Sequence, residues 1–185
     1  MPKINEAERK TQKHVIALFC PVLQTREAHA VYDLWAAEQP EPYHVWPVAA
    51  MLDYVYYGDL HGQVNTNIMT DKLTAWLTSK QGGNHSLNLA EKAVAELVKT
   101  AGNLQQGLYK ANQEVYSLLK YGAKVHENPG EPDKTVYFID WEHSHNNEFA
   151  VAEEVTIKSG SERRPDLVVY INGIAVAVIE LKKST

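Results

Sequence analysis

Residues 163–183 read R-R-P-D-L-V-V-Y-I-N-G-I-A-V-A-V-I-E-L-K-K, and their reading decides the fold. Two apolar runs, Asp166 to Ile171 and Ile174 to Leu181, flank Asn172-Gly173, the strongest short hairpin signal in the chain. The hairpin carries Asp166 at the start of one strand, and Glu180 and Lys182 at the end of the next. Three ionisable groups thus gather at one edge of an apolar sheet. Glu180 and Lys182 are two apart on a strand and share a face. Two carboxylates suit Mg²⁺, a hard cation that prefers oxygen ligands and keeps several waters, and the backbone carbonyl of Leu181 is a natural third oxygen. Such a cation activates water and stabilises charge on a phosphate, and a lysine beside it sheds a proton more easily.

Register tests this reading. A strict two-residue turn pairs Ile171 with Ile174 and sets Asp166 opposite Ile179, so Asp166 and Glu180 fall on opposite faces. One extra residue in the loop, or a bulge, pairs Ile171 with Ala175 and lets Asp166 face Glu180. The second register is expected, because one metal cannot be shared across a sheet.

Upstream of the hairpin, strand-like segments cover Thr135 to Asp140 and Phe149 to Ile157, after a turn at Glu127 to Asp133. The first two thirds read as helices. Asn5 and Glu8 have capping-box spacing, Val15, Leu18, Phe19 and Val22 form a stripe, and Pro21 marks the end. Residues 27–38 and 47–57 read as short helices, and Leu73, Trp76 and Leu77 have helical spacing. Asn88 with Glu91 opens a helix that Gly102 closes, and residues 104–119 form another that Gly122 closes. Helices first and a sheet last predict an α+β fold: a helical N-terminal part on a central mixed or antiparallel sheet.

The chain has 185 residues, 44% of them hydrophobic and 22% charged, an ordinary globular composition for one domain. No apolar run reaches the length of a membrane span, and the start lacks a signal-peptide core. A single cysteine, Cys20, cannot form an internal disulfide, and a reducing cytoplasm is expected. Cys20 reads as a buried apolar residue. The net charge of −5 divides into +3 over residues 1–26, −10 over 27–157 and +2 over 158–185. A nucleic-acid surface over the whole domain is not expected, a local basic site built from the two ends stays open, and any binding to DNA is expected to be weak and salt-sensitive.

Further residues carry secondary readings. Glu8 shares the inward face of its helix, as a cap for that helix or as a further metal ligand, and Glu114 competes for the latter role. Arg163, Arg164 and Lys183 are candidate DNA-phosphate contacts or ordinary basic loop residues. Glu153 and Glu154 sit mid-strand, so one must face inward or toward the site, where it could support the metal, although a charged outer face is the favoured reading. Tyr54, Tyr56 and Tyr57 read as core and rim aromatics at helical spacing, or as stackers of bases. His143 and His145 read as a solvated turn, since a zinc site needs more ligands at better spacing.

The runs Ile139-Asp140-Trp141-Glu142, Asn146-Asn147-Glu148-Phe149, Ala152-Glu153-Glu154-Val155, Arg164-Pro165-Asp166-Leu167-Val168, Asn172-Gly173-Ile174 and Ile179-Glu180-Leu181-Lys182 resemble a known family. It is the N-terminal nuclease domain of the restriction (R) subunit of type I restriction-modification enzymes, within the PD-(D/E)XK nuclease superfamily. Ala111-Asn112, Tyr116, Leu118-Leu119 and Gly122 fit the preceding family helix. The resemblance covers residues 104–185, read as the nuclease core, with 1–103 a variable helical part of the same domain. It implies that Asp166 and Glu180 bind Mg²⁺ and that Lys182 is the catalytic lysine. It implies cleavage of double-stranded DNA together with methyltransferase and specificity subunits, and an ATP-driven motor downstream. No G-x-x-x-x-G-K-[ST] loop occurs in these residues. The family's Q-x-x-x-Y helix is also missing after Lys182, so a fragment of a longer chain is expected. A stand-alone Mg²⁺ nuclease and a non-catalytic docking domain are the competing classes.

Overall fold

A computed structural model describes residues 6–20, 54–63, 66–105, 107–159 and 161–181. The chain divides into two compact units. One comprises residues 1–66, 149–170 and 175–185, and the other 67–148 with 171–174.

The first unit is built on a four-stranded mixed sheet of order β1-β4-β7-β8, with β1 Tyr54–Asp59, β4 Phe149–Glu153, β7 Leu167–Ile171 and β8 Ile174–Ile179. Strands β1 and β4 pair in parallel, Tyr54 against Phe149 and Asp59 against Glu153, with a register shift between Tyr56 and Gly58. Strands β4 and β7 run antiparallel, as the bonds at their two ends require: Asn172 N–H to Glu148 O (2.8 Å) and Glu154 N–H to Asp166 O (3.2 Å). Central β4 buries Ala150, Val151 and Ala152 in succession, as a strand covered on both faces must. Edge strand β8 is equally apolar in sequence but leaves Val176 and Val178 exposed.

Helix α1, Glu6–Phe19, lies against β4. Its Ile16 and the adjacent Cys20 join Val151 and Leu167 in a small core, ringed by Phe19, Tyr54, Ile179 and Leu181. Burial pushes the Cys20 thiol up to about 11, so it stays a neutral packing group, in keeping with the sequence reading. A short antiparallel pair, β5 Ile157–Ser159 with β6 Ser161–Arg163, completes this unit.

Several sequence expectations change here. Residues 27–38 lie outside the described residues, as do 47–53, but Tyr54 to Tyr57 belong to a strand and not to a helix. Phe19 packs edge-on to Tyr54 at 5.1 Å, Tyr56 donates its hydroxyl to Glu153, and Tyr57 stacks obliquely on Tyr170 at 5.5 Å. Burial, then the Glu153 hydrogen bond, pushes the Tyr56 phenol far up. The strand expected over Phe149 to Ile157 breaks at Glu154, whose φ of +53° no pleated strand can accept.

The second unit holds three helices and a hairpin: α2 Thr70–Thr78, α3 Leu87–Gly102, α4 Leu108–Tyr121, β2 Ala123–Val125 and β3 Lys134–Val136. Leu73 and Leu77 of α2 meet Leu89, Ala90, Ala93, Val94 and Leu97 of α3 around Phe138 and Ile174. These spacings are one helical face each. The N-cap of α3 is Ser86, whose hydroxyl accepts from Leu89 N–H, and not Asn88. The Asn88 amide instead donates to the Glu127 carbonyl at 2.9 Å. Strand β2 has no counterpart in the sequence reading, and the strand expected over 135–140 ends at Val136.

Candidate active site

Asp166 immediately precedes β7 and is half-buried. Its Oδ2 accepts the Leu181 N–H at 2.6 Å, and its Oδ1 accepts from Gln12 Nε2 at 3.4 Å. The first bond ties the start of β7 to the residue next to Glu180, so Asp166 and the Glu180-Leu181 segment meet at the open end of the hairpin. Glu180 itself is exposed.

Of the two devices expected to set the register, the loop itself decides one. Asn172 and Gly173 both have positive φ, +52° and +83°, which defines a two-residue turn of the kind whose twist matches the strands it joins. The extra loop residue is therefore absent. The opposite-face objection loses its force for another reason. Asp166 lies before β7 begins and Glu180 after β8 ends, so strand alternation sets neither side chain's face.

Gln12 and Glu154 complete the surroundings of Asp166, and the sequence reading assigned Gln12 no role. Gln12 is 2% exposed on α1, and its Nε2 also donates to Glu154 Oε1 at 3.0 Å. Its signal was a polar residue on the apolar stripe of α1, one turn before Ile16. Glu154 is 8% exposed, not part of a charged outer face, and its Oε2 lies 3.6 Å from Arg164 Nη1. Arg164 is thus engaged with a protein carboxylate, while Arg163 is exposed. Glu8 lies one helical turn before Gln12, with its side chain outside the described residues, and Lys182 and Lys183 lie outside them altogether. Glu114 belongs to the second unit and lies 3.9 Å from Lys110. His143 and His145 occupy an exposed turn, with His143 Nδ1 3.7 Å from Asp140.

Among the described residues, no three His, Cys, Asp or Glu side chains converge on one point. The donor set nonetheless suits Mg²⁺, which takes one or two carboxylates and fills its remaining positions with water and phosphate oxygens. An ionised carboxylate offers about four lone-pair sites, of which Asp166 uses two.

The mixed α+β architecture is compatible with a restriction-endonuclease-like fold. The chain belongs to the family defined by the N terminus of the type I restriction enzyme R protein, which matches residues 47–185. Over 99 residues it is 36% identical to the type I restriction enzyme HindI endonuclease subunit of Haemophilus influenzae, covering 51% of this chain and 9% of that protein. Over 101 residues it is 35% identical to a putative type I restriction enzyme MjaIXP endonuclease subunit of Methanocaldococcus jannaschii, covering 51% of this chain and 10% of that protein. The match thus spans about a tenth of the length of these relatives. No solved structure matches it significantly. No helix among the described residues is long and apolar enough to cross a membrane.

Proposed function

We propose that this chain is the endonuclease module of a type I restriction enzyme, hydrolysing phosphodiester bonds of double-stranded foreign DNA with Mg²⁺. The observation that carries the reading is the Asp166 carboxylate fixed against the backbone N–H of Leu181, the residue that follows Glu180. Asp166 and Glu180 would hold the cation, which when bound supplies charge stabilisation for the phosphate and a more acidic water. The Leu181 N–H and Gln12 hold the Asp166 carboxylate in one orientation before DNA arrives, which lowers the cost of assembling the site. Lys182, two residues after Glu180, is assigned to hold the attacking water. Methyltransferase and specificity subunits are the proposed partners, with ATP used by motor domains elsewhere on the chain, in a cytoplasmic setting.

The test uses the full-length subunit assembled with its partners on unmodified plasmid DNA. Lys182→Ala is expected to cut cleavage by about a hundredfold or more, the scale of losing one group that stabilises transition-state charge. DNA-stimulated ATP hydrolysis should stay unchanged. Cleavage at the unaltered rate would leave the chain a docking domain that keeps a nuclease fold.

A further inference from the structure

We infer that Gln12 is a positioning residue for Asp166, acting together with Glu154; this rests on the nuclease reading above. A buried amide is costly unless its hydrogen bonds are met, and Gln12 is 2% exposed on the stripe that otherwise packs Ile16 and Phe19. Its Nε2 carries two protons and meets two carboxylates, Glu154 Oε1 at 3.0 Å and Asp166 Oδ1 at 3.4 Å. A methionine or leucine would fill the same volume and donate to neither. A glutamate would bring a third negative charge against the first two.

Glu154 is held for this purpose from both ends. Its N–H donates to the Asp166 carbonyl at 3.2 Å, and its second carboxylate oxygen faces Arg164 at 3.6 Å. The residue also sits in the left-handed region at φ +53°, a conformation that non-glycine residues seldom adopt. That twist ends β4 and turns the side chain inward, where an extended residue would continue the strand. Asp166 is consequently gripped on both oxygens, by Leu181 N–H and by Gln12. Loss of one grip frees rotation about its outer torsion, which has a broad, shallow profile.

Two measurements test the inference. In the assembled full-length enzyme, Gln12→Met is expected to lower the maximal cleavage rate by about 10–100-fold, and to raise the Mg²⁺ concentration needed for half-maximal rate about tenfold, the usual effect of removing a partner that orients a ligand. The DNA concentration for half-maximal rate should stay within about twofold, since a side chain 2% exposed offers DNA almost no surface. Glu154→Ala should behave the same way, and Glu154→Gln, which keeps an oxygen for Gln12, should recover at least about tenfold over it. The second readout needs neither metal nor DNA. In ¹⁵N-labelled protein the Gln12 side-chain amide protons should shift on Glu154→Ala and again on Asp166→Asn. An unaltered metal requirement and rate in Gln12→Met, or amide signals indifferent to Glu154, would overturn the inference. Normal cleavage by Lys182→Ala would instead defeat the nuclease reading, leaving the amide measurement to decide on the Gln12 contacts alone.

Discussion

Asp166→Asn will reduce DNA cleavage by the assembled enzyme by about a hundredfold or more, and will leave the fold intact. The two consequences separate because Asp166 does two things. Its Oδ2 accepts the Leu181 N–H at 2.6 Å, which an amide oxygen can also do. Its charge is what a divalent cation requires, and asparagine has none. Asp166→Ala loses both and should match Asp166→Asn in cleavage while unfolding more readily by about 1–2 kcal/mol, from the orphaned Leu181 N–H and the freed Gln12 amide. The checks are plasmid cleavage, DNA-stimulated ATP hydrolysis and a urea unfolding midpoint for each variant. Cleavage preserved in Asp166→Asn would remove the carboxylate from the chemistry.

The largest stability effect is expected at the other end of the same hairpin. Asn172 is 1% exposed and is bonded through its N–H and both polar side-chain atoms. Its N–H donates to Glu148 O at 2.8 Å, and its Oδ1 accepts the Glu148 N–H at 2.7 Å. Its Nδ2 donates to Phe138 O and to Asn147 Oδ1, each at 2.9 Å. Asn147 in turn accepts the Asp140 N–H, so the turn and the 138–148 segment form one network. Asn172→Gly keeps the positive φ but strands these partners, at a cost of about 2–4 kcal/mol. Asn172→Ala adds left-handed strain and should cost about 3–5 kcal/mol. A loss below about 1 kcal/mol in both, read from urea midpoints, would show that water replaces the side chain freely.

What the sequence revealed and what it hid follow from range. Asn172-Gly173 is a local signal, since both residues tolerate the positive φ that the turn demands, and it located the hairpin and the meeting of Asp166 with the Glu180 segment. The amphipathic stripes of α2, α3 and α4 are local in the same sense. Strand β1 was hidden because its partner β4 lies some ninety residues later, and Tyr54, Tyr56 and Tyr57 in a short apolar stretch suit a helix as well as a strand. An extra loop residue was invoked because parity was carried past the strand ends, into Asp166 and Glu180, where it does not hold. Glu154 read as a surface charge because nothing in Ala152-Glu153-Glu154-Val155 announces a left-handed residue. Gln12 was visible only as a polar interruption of an apolar stripe, and its meaning needed the two carboxylates that the fold brings to it from 142 and 154 residues away.

The central claim is that the mouth of the β7–β8 hairpin holds a divalent cation. It is tested most directly by titrating Mn²⁺, a paramagnetic stand-in for Mg²⁺, into ¹⁵N-labelled protein and mapping which amide signals broaden first. The account predicts broadening centred on Asp166, Glu180 and Leu181, competed by excess Mg²⁺ and lost in Asp166→Ala. Broadening centred elsewhere, or unchanged in that variant, would contradict it.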